Sequence, residues 1–245
     1  MPHRLFYTAG DTDALACAIQ RLKNAGFTFS PVPTNDVTDL ILPVPSLDPD
    51  GNIKGGCSLQ EILSQLPPNI TIWGGNLPVL TGYRIVDLLK DPAYVAENAY
   101  ITAHCAVRLA MDRLPIPLRG CKILVIGWGR IGKCLAALLR GLEAKVTVAA
   151  RKESDRAILH ALGYGTIPTD GLTGEGYRII FNTVPLMIIP NAPAGCLNID
   201  LATVPGLSGC GVIHARGLPG KDAPEASGEL IARTVLRLYR KGEIL

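Results

Sequence analysis

Lys122-Ile123-Leu124-Val125-Ile126 runs directly into Gly127-Trp128-Gly129-Arg130-Ile131-Gly132, and Cys134, Leu135, Ala136, Ala137, Leu138 and Leu139 follow at helical spacing. Few folds accept that order: a buried strand must turn at once into a helix that packs back on it. Gly127 permits the tight turn, Gly129 lets backbone approach a ligand with no side chain between them, and Gly132 lets the helix lie close on the strand. Free N–H groups and the positive end of a helix dipole then face one spot. That spot suits the linked phosphates of a dinucleotide, and Trp128, Arg130 and Ile131 lie in the same turn.

A second apolar run, 146–150, ends in Arg151-Lys152. A carboxylate at that position would hold the ribose 2′-hydroxyl of NAD. A guanidinium instead can hold a 2′-phosphate through paired hydrogen bonds, so the sequence favours NADP over NAD.

Short apolar runs alternate with helical patterns along the whole chain, which points to parallel sheets covered by helices. The expected fold is α/β: a doubly wound, parallel-sheet dinucleotide-binding (Rossmann) domain plus a smaller α/β N-terminal domain. With 245 residues, one large or two modest domains are reasonable. We place an N-terminal substrate domain at 1–93, a connector helix at 94–115 and the NADP-binding domain at 116–223. The closing helix, 224–245, is expected to pack back on the first domain. In the N-terminal domain the spacing predicts strands at 5–7, 40–44 and 70–73 and helices at 13–25 and 58–66, with Asp11 or Asp13 as the first helix's cap. A Pro- and Gly-rich loop reaches Gly56. In the connector, Val95, Ile101, Cys105, Val107, Leu109 and Met111 predict a largely buried helix. Five strands are predicted in the second domain, at 123–126, 146–150, 179–181, 197–201 and 212–214. On the closing helix Leu230, Ile231, Val235 and Leu238 share one face.

Composition narrows the function classes. Hydrophobic residues at 48% and charged residues at 18% exclude a disordered chain. A net charge of +3 with scattered Lys and Arg argues against a nucleic-acid partner. Seven separated cysteines without a CxxC pair suit a reducing compartment, and no apolar run reaches the roughly 20 residues that span a bilayer. A cytoplasmic protein without a metal cluster is expected.

In open α/β sheets ligands sit beyond the carboxyl ends of the strands. Three loops qualify: Asn182-Thr183-Val184-Pro185, Asp200-Leu201-Ala202-Thr203 and Gly217-Leu218-Pro219-Gly220-Lys221. The first, with Leu201 and Ala202, is expected to touch cofactor. Asp200 is a candidate catalytic carboxylate and equally reads as a cap or turn former. His104 and His214 are the side chains most able to exchange protons near neutrality.

Several segments together resemble the A subunit family of dipicolinate synthase, found in spore-forming bacteria. They are Leu40-Ile41-Leu42-Pro43-Val44, Glu97-Asn98-Ala99-Tyr100-Ile101-Thr102-Ala103, the Gly127 turn, Asn182-Thr183-Val184-Pro185, Ile199-Asp200-Leu201-Ala202, and Gly217-Leu218-Pro219-Gly220 with Ala223-Pro224. The resemblance implies two domains with substrate in the cleft between them, and NADP-linked oxidation of dihydrodipicolinate to dipicolinate with a flavoprotein-like B subunit. The sequence departs from the family's pattern in a shorter N-terminal domain, in His104-Cys105 where Glu-Gly is expected, and in His214 and Arg216. A substrate with two carboxylates needs cations or helix N-termini. Arg216, Lys221 with Pro219 and Gly220, and the turn at Gly10 and Asp11 are the expected clamps, with His104 as proton acceptor. A homo-oligomer is expected. The alternatives are another NADP-linked two-domain dehydrogenase, of hydroxyacid or shikimate type, and a non-catalytic NADP-binding subunit.

Overall fold

The structure, a computed structural model, describes residues 4–240. Residues 1–3 and 241–245, assigned above to the N-terminal domain and the end of the closing helix, lie outside the described residues. Two compact units follow: one runs to Asn98 and resumes at Pro219, and the other is Ala99–Leu218.

The first unit contains β1 (Leu5–Thr8), α1 (Asp13–Asn24), β2 (Thr28–Phe29), β3 (Asp39–Ile41), α2 (Leu59–Ser64), β4 (Thr71–Gly74) and β5 (Arg84–Asp87), then the start of α3 (Pro92–Arg113). Its strands form one parallel sheet in the order β2-β1-β3-β4-β5. The order reverses between β1 and β3, so the loops after these two strands diverge and leave a crevice at their carboxyl ends. Leu40, Leu42, Ile53, Ile62, Ile70 and Ile72 form the core under α2 and the loop after β3. The cap of α1 is Thr12, whose Oγ1 accepts from the Leu15 amide at 3.2 Å, not Asp11 or Asp13. Thr12 alone of the three is the extended residue next to the helix, whereas Asp13 already lies in the first turn, where its charge suits the dipole.

The second unit contains the rest of α3, β6 (Lys122–Ile126), α4 (Arg130–Gly141), β7 (Lys145–Ala149), α5 (Glu153–Ala161), β8 (Gly165–Ile167), β9 (Ile179–Asn182), β10 (Leu197–Asp200) and β11 (Ile213–His214). Its six strands are parallel in the order β11-β10-β9-β6-β7-β8, the doubly wound arrangement with its reversal between β6 and β9. Both units are therefore parallel-sheet α/β. Ile123, Leu124, Val125 and Ile126 of the central strand have no measurable exposure, which explains their unbroken apolar run.

The chain re-enters the first unit through α6 (Leu218–Asp222) and α7 (Pro224–Arg240). Residues read above as the loop from Gly217 to Lys221 thus include a short helix. Leu230, Ile231, Val235 and Leu238 are buried, and α7 lies along α1 so closely that a Cβ on Gly228 would come within 2.5 Å of Cys17 Cβ. Asp91 caps α3 by accepting from the Tyr94 amide, and Arg237 of α7 donates to the same carboxylate at 2.6 Å. The Arg237 guanidinium and the amides of Tyr94 and Ala93 hold that carboxyl below its usual range despite its partial burial.

The buried stripe of α3 differs from the expected one. Ala99, Ala103, Ala106 and Ala110 line it, with Thr102, Cys105 and Val107 beside them, while Met111 is half exposed. Alanines let neighbouring elements approach the helix backbone, so the small residues, not the large ones, mark its inner face. Among the described residues no helix is long and apolar enough to cross a membrane.

Candidate functional site

At the carboxyl end of β6 the chain turns at Gly127, whose φ of 102° is open to glycine but strained for other residues. A Cβ there would come within 2.5 Å of Thr183 Oγ1 and 2.8 Å of Val184 Cγ2, because the loop after β9 is packed directly against the turn. Thr183 ties that loop to β6: its amide and its hydroxyl both donate to the Ile126 carbonyl, at 3.0 and 2.8 Å. Gly132 is as constrained, since a Cβ on it would run into the Gly127 carbonyl oxygen. Gly129 is different. It is extended and exposed, a Cβ on it would meet nothing within 4 Å, and it caps α4 without any side-chain hydrogen bond. The start of α4 thus presents backbone N–H groups to open space at the reversal point of the sheet, which fits a pyrophosphate.

Around this turn Trp128 lies edge-on to Tyr164 with Lys133 Nζ 5.7 Å from its ring, and Arg130 is exposed. Past β7, Arg151 and Lys152 are both exposed. Arg156, which sequence reasoning missed, shapes this corner by donating to the carbonyls of Ala150 and Arg151, each at 2.8 Å. Its signal was only a helical position one turn into α5, indistinguishable in sequence from a surface arginine.

Asp200 ends β10 and is 1% exposed. Its Oδ1 accepts from Asn182 Nδ2 at 2.9 Å and from the Ala202 amide at 3.0 Å, and its Oδ2 from the amides of Gly206 and Leu207 at 2.7 and 2.9 Å. Asn182 in turn holds Val184 through its carbonyl and amide. Four donors saturate the carboxylate, so Asp200 anchors the loops after β9 and β10 and has no free lone pair for a reacting proton, contrary to the catalytic role expected of it. These bonds tie Leu201-Ala202 to the loop after β9, whose Thr183 and Val184 pack against the Gly127 turn. His214, its register partner on β11, is half exposed, with Nδ1 4.0 Å from Asp200 Oδ2.

His104 is not gathered with these residues. On α3 the positions 100, 104 and 107 point to the flank of α4, where Tyr100, His104 and Val107 line a 790 Å³ apolar groove with Cys134, Ala137 and Leu138. His104 stacks edge-on against Tyr100 at 4.6 Å, and no strand-end residue lines that groove. A proton acceptor must reach the reacting atoms, so the expected role of His104 is withdrawn. A second cavity, of 610 Å³, lies by Lys122 and Lys145 at the amino ends of β6 and β7, the wrong end of the sheet for a ligand.

In the first unit the turn after β1 is a packing turn. A Cβ on Gly10 would meet Pro43 Cγ at 2.7 Å and the Lys54 carbonyl at 2.8 Å, and the Asp11 amide donates to that carbonyl at 3.1 Å. Gly10 and Asp11 therefore fix the neighbouring loop, and the Asp11 amide expected to meet a ligand is spent on the Lys54 carbonyl. For Lys54, which sequence reasoning also passed over, burial first, and then the Lys221 charge, lower the pKa against the opposing pull of Asp48. Of the other expected clamps, Pro219 is buried, Gly220 half-buried, and Arg216 and Lys221 exposed.

No family model matches the sequence. The chain is 25% identical over 257 residues to the A subunit of dipicolinate synthase from Bacillus subtilis (strain 168), an alignment covering 94% of this chain and 83% of that one. Its fold matches crystal structures of the A subunit of dipicolinate synthase from Bacillus halodurans (TM-score 0.82, 21% identity, 96% and 97% of the two chains) and Bacillus subtilis (0.81, 22%, 98% and 97%). It also matches a transhydrogenase from Sinorhizobium meliloti (0.64, 13%, 97% and 94%). By sequence along nearly its whole length and by its two parallel-sheet α/β units, the chain is similar to A subunits of dipicolinate synthase.

Proposed function

We propose that the chain is the A subunit of a dipicolinate synthase and carries out the NADP-dependent oxidation of dihydrodipicolinate to dipicolinate in spore formation, in the cytoplasm, as a homo-oligomer working with a flavoprotein-like B subunit. The observation that carries the proposal is the likeness, across 94% of the chain, to the A subunit of dipicolinate synthase. The bare turn at Gly129 supports it by supplying a place for the cofactor.

Bound NADP supplies the hydride acceptor. The protein's own part is to bind, align and deprotonate. N–H groups at the start of α4 hold the pyrophosphate, and Arg151 and Lys152 meet the 2′-phosphate. The loops anchored by Asp200 position the nicotinamide end. The oxidation gains aromatic stabilisation, so alignment and removal of one proton are the main demands. Arg216 and Lys221 face the carboxylates. His214 takes the proton in place of His104: it is exposed at a strand's carboxyl end, and the Asp200 carboxylate 4.0 Å from Nδ1 attracts the imidazolium that proton uptake creates.

An absorbance assay at the nicotinamide band tests this, using dihydrodipicolinate with NADP or NAD, with and without the flavoprotein-like subunit. Reduction with NADP is the expected result, and no change with either nucleotide in either arrangement removes the dehydrogenase assignment. His214→Asn should lower kcat about a hundredfold, while His104→Ala leaves it unchanged.

A further inference from the structure

A helix start is ordinarily fixed by a side chain that accepts a hydrogen bond from one of its first free amides. The start of α4 has no such cap: Gly129 offers no side chain, and the amides that a cap would occupy are the ones a pyrophosphate needs. The turn is also loose by composition. Gly127 and Gly129 flank a single residue, Trp128, and glycine loses the most backbone freedom when it is held in place. Something other than a hydrogen bond to these amides must therefore set the angle at which the chain enters α4.

Trp128 is the one side chain between the two glycines, and two partners grip it. The Lys133 amide donates to the Gly129 carbonyl at 3.0 Å, the first bond of the helix, which puts Trp128 immediately before the cap and Lys133 at the fourth helical position. Residues at those two positions meet across a helix start and, where they pack, fix the entry of the chain. Here the pair is an indole and an ammonium group, with Lys133 Nζ 5.7 Å from the ring centroid. The Trp128 ring also meets the Tyr164 ring at 6.1 Å and 60°. Tyr164 is fixed in turn: it is 6% exposed, and Arg140 Cζ lies 4.4 Å over its ring. The same guanidinium donates to the Leu162 carbonyl, at the C-cap of α5, at 2.8 Å. Trp128 is thus tied to the first turn of α4 and, through Tyr164 and Arg140, to its last turn and to the end of α5.

We infer that Trp128, stapled by Lys133 and Tyr164, is a positioning residue that pre-sets the bare N–H groups of the glycine turn for a pyrophosphate. This deepens the proposed function and rests on it for the ligand, though not for the staple itself. Trp128 then acts through the backbone, and its effect is common to NADP and NAD because both carry the same pyrophosphate. Arg151 differs in acting on the 2′-phosphate alone.

Calorimetric titration of the full chain with NADP and with NAD, together with hydrogen exchange of the Lys133 amide in the free protein, tests the assignment. Trp128→Ala should weaken both nucleotides about tenfold and speed exchange of that amide about tenfold, whereas Trp128→Phe, which keeps a ring for both contacts, should stay within about threefold of the parent in each. Tyr164→Leu should weaken both nucleotides alike, and adding it to Trp128→Ala should weaken them little further, since the two rings act as one unit. A folded Trp128→Ala variant that binds both nucleotides as the parent does overturns the staple. So does a loss confined to NADP, or a Tyr164→Leu effect that simply multiplies that of Trp128→Ala. If the parent binds neither nucleotide and Trp128→Ala still speeds exchange at Lys133, the staple stands and the cofactor reading falls; unchanged exchange in that case sinks both.

Discussion

The two units solve the same topological problem with opposite chemistry. Each is a parallel sheet with one reversal point, between β1 and β3 in the first and between β6 and β9 in the second. In the second unit the crevice is kept bare: Gly129 faces open space and offers backbone N–H groups. In the first, the space at Gly10 is filled by Pro43 and the Lys54 carbonyl. A linked pair of phosphates is long and is matched by a row of backbone donors, which a packed turn does not offer. Each sheet also buries one aspartate, at opposite ends. Asp39 starts β3 and accepts from Arg4, Trp73 Nε1 and Thr38 Oγ1, whereas Asp200 ends β10 and holds ligand-side loops.

These aspartates give the largest expected effect and the sharpest way to break the contrast. Asp39→Ala strands the buried Trp73 N–H and removes the Arg4 ion pair, and should cost about 3–5 kcal/mol in a urea titration. Asp200→Ala strands four donors and should cost about 3 kcal/mol. The difference lies in binding. At a temperature where both variants are folded, Asp39→Ala should bind NADP as the parent does, and Asp200→Ala should lose most of its affinity because Ala202, and the Asn182 side chain that holds Val184, are no longer anchored. Equal loss in both variants would show that the two ends of these sheets are not functionally distinct.

Next in size is a pair of glycine substitutions. Gly129→Val meets no steric obstacle and keeps an ordinary extended backbone, so its unfolding midpoint should match the parent's while its Kd for NADP rises about a hundredfold, about 2.7 kcal/mol. Gly10→Ala, at φ 101° and with no space for a Cβ, should lose about 1–3 kcal/mol of stability and keep its NADP affinity. Reversal of this pattern would mean that the packed turn, not the bare one, receives the nucleotide.

The same contrast explains what the sequence disclosed. The second unit was legible because its site is made of backbone: glycines at fixed spacing between a buried strand and an apolar helix leave a pattern in one dimension. Strands β2, β5 and β8 were missed, and all three are short edge strands without the continuous apolar run of a strand buried on both faces. Lys54 and Arg156 were missed for another reason. Their placement comes from contacts with residues far away in the chain or from the carbonyls they grip, and neither leaves a local signature. His104 misled because a histidine in an apolar helix looks purposeful until the inner face of α3 is seen to be alanine.

The smallest expected effect concerns the basic corner after β7. Arg151 and Lys152 are exposed, so a phosphate there is held in water by charge-assisted hydrogen bonds worth about 1.5 kcal/mol at the low end, roughly tenfold. Arg151→Ala should therefore weaken NADP about tenfold and leave NAD within about twofold, because NAD has nothing for the guanidinium to hold. Arg156→Ala separates charge from shape: its guanidinium spends itself on the carbonyls of Ala150 and Arg151, so its loss should weaken both nucleotides alike by loosening the corner. Raising the salt from about 0.05 to 0.5 M should erase much of the Arg151→Ala effect on NADP and little of the Arg156→Ala effect, since screening acts on an exposed ion pair and not on backbone held at 2.8 Å. An Arg151→Ala variant that weakens NAD as much as NADP would make this corner a structural support, and the choice between the two nucleotides would then have to come from elsewhere around the turn.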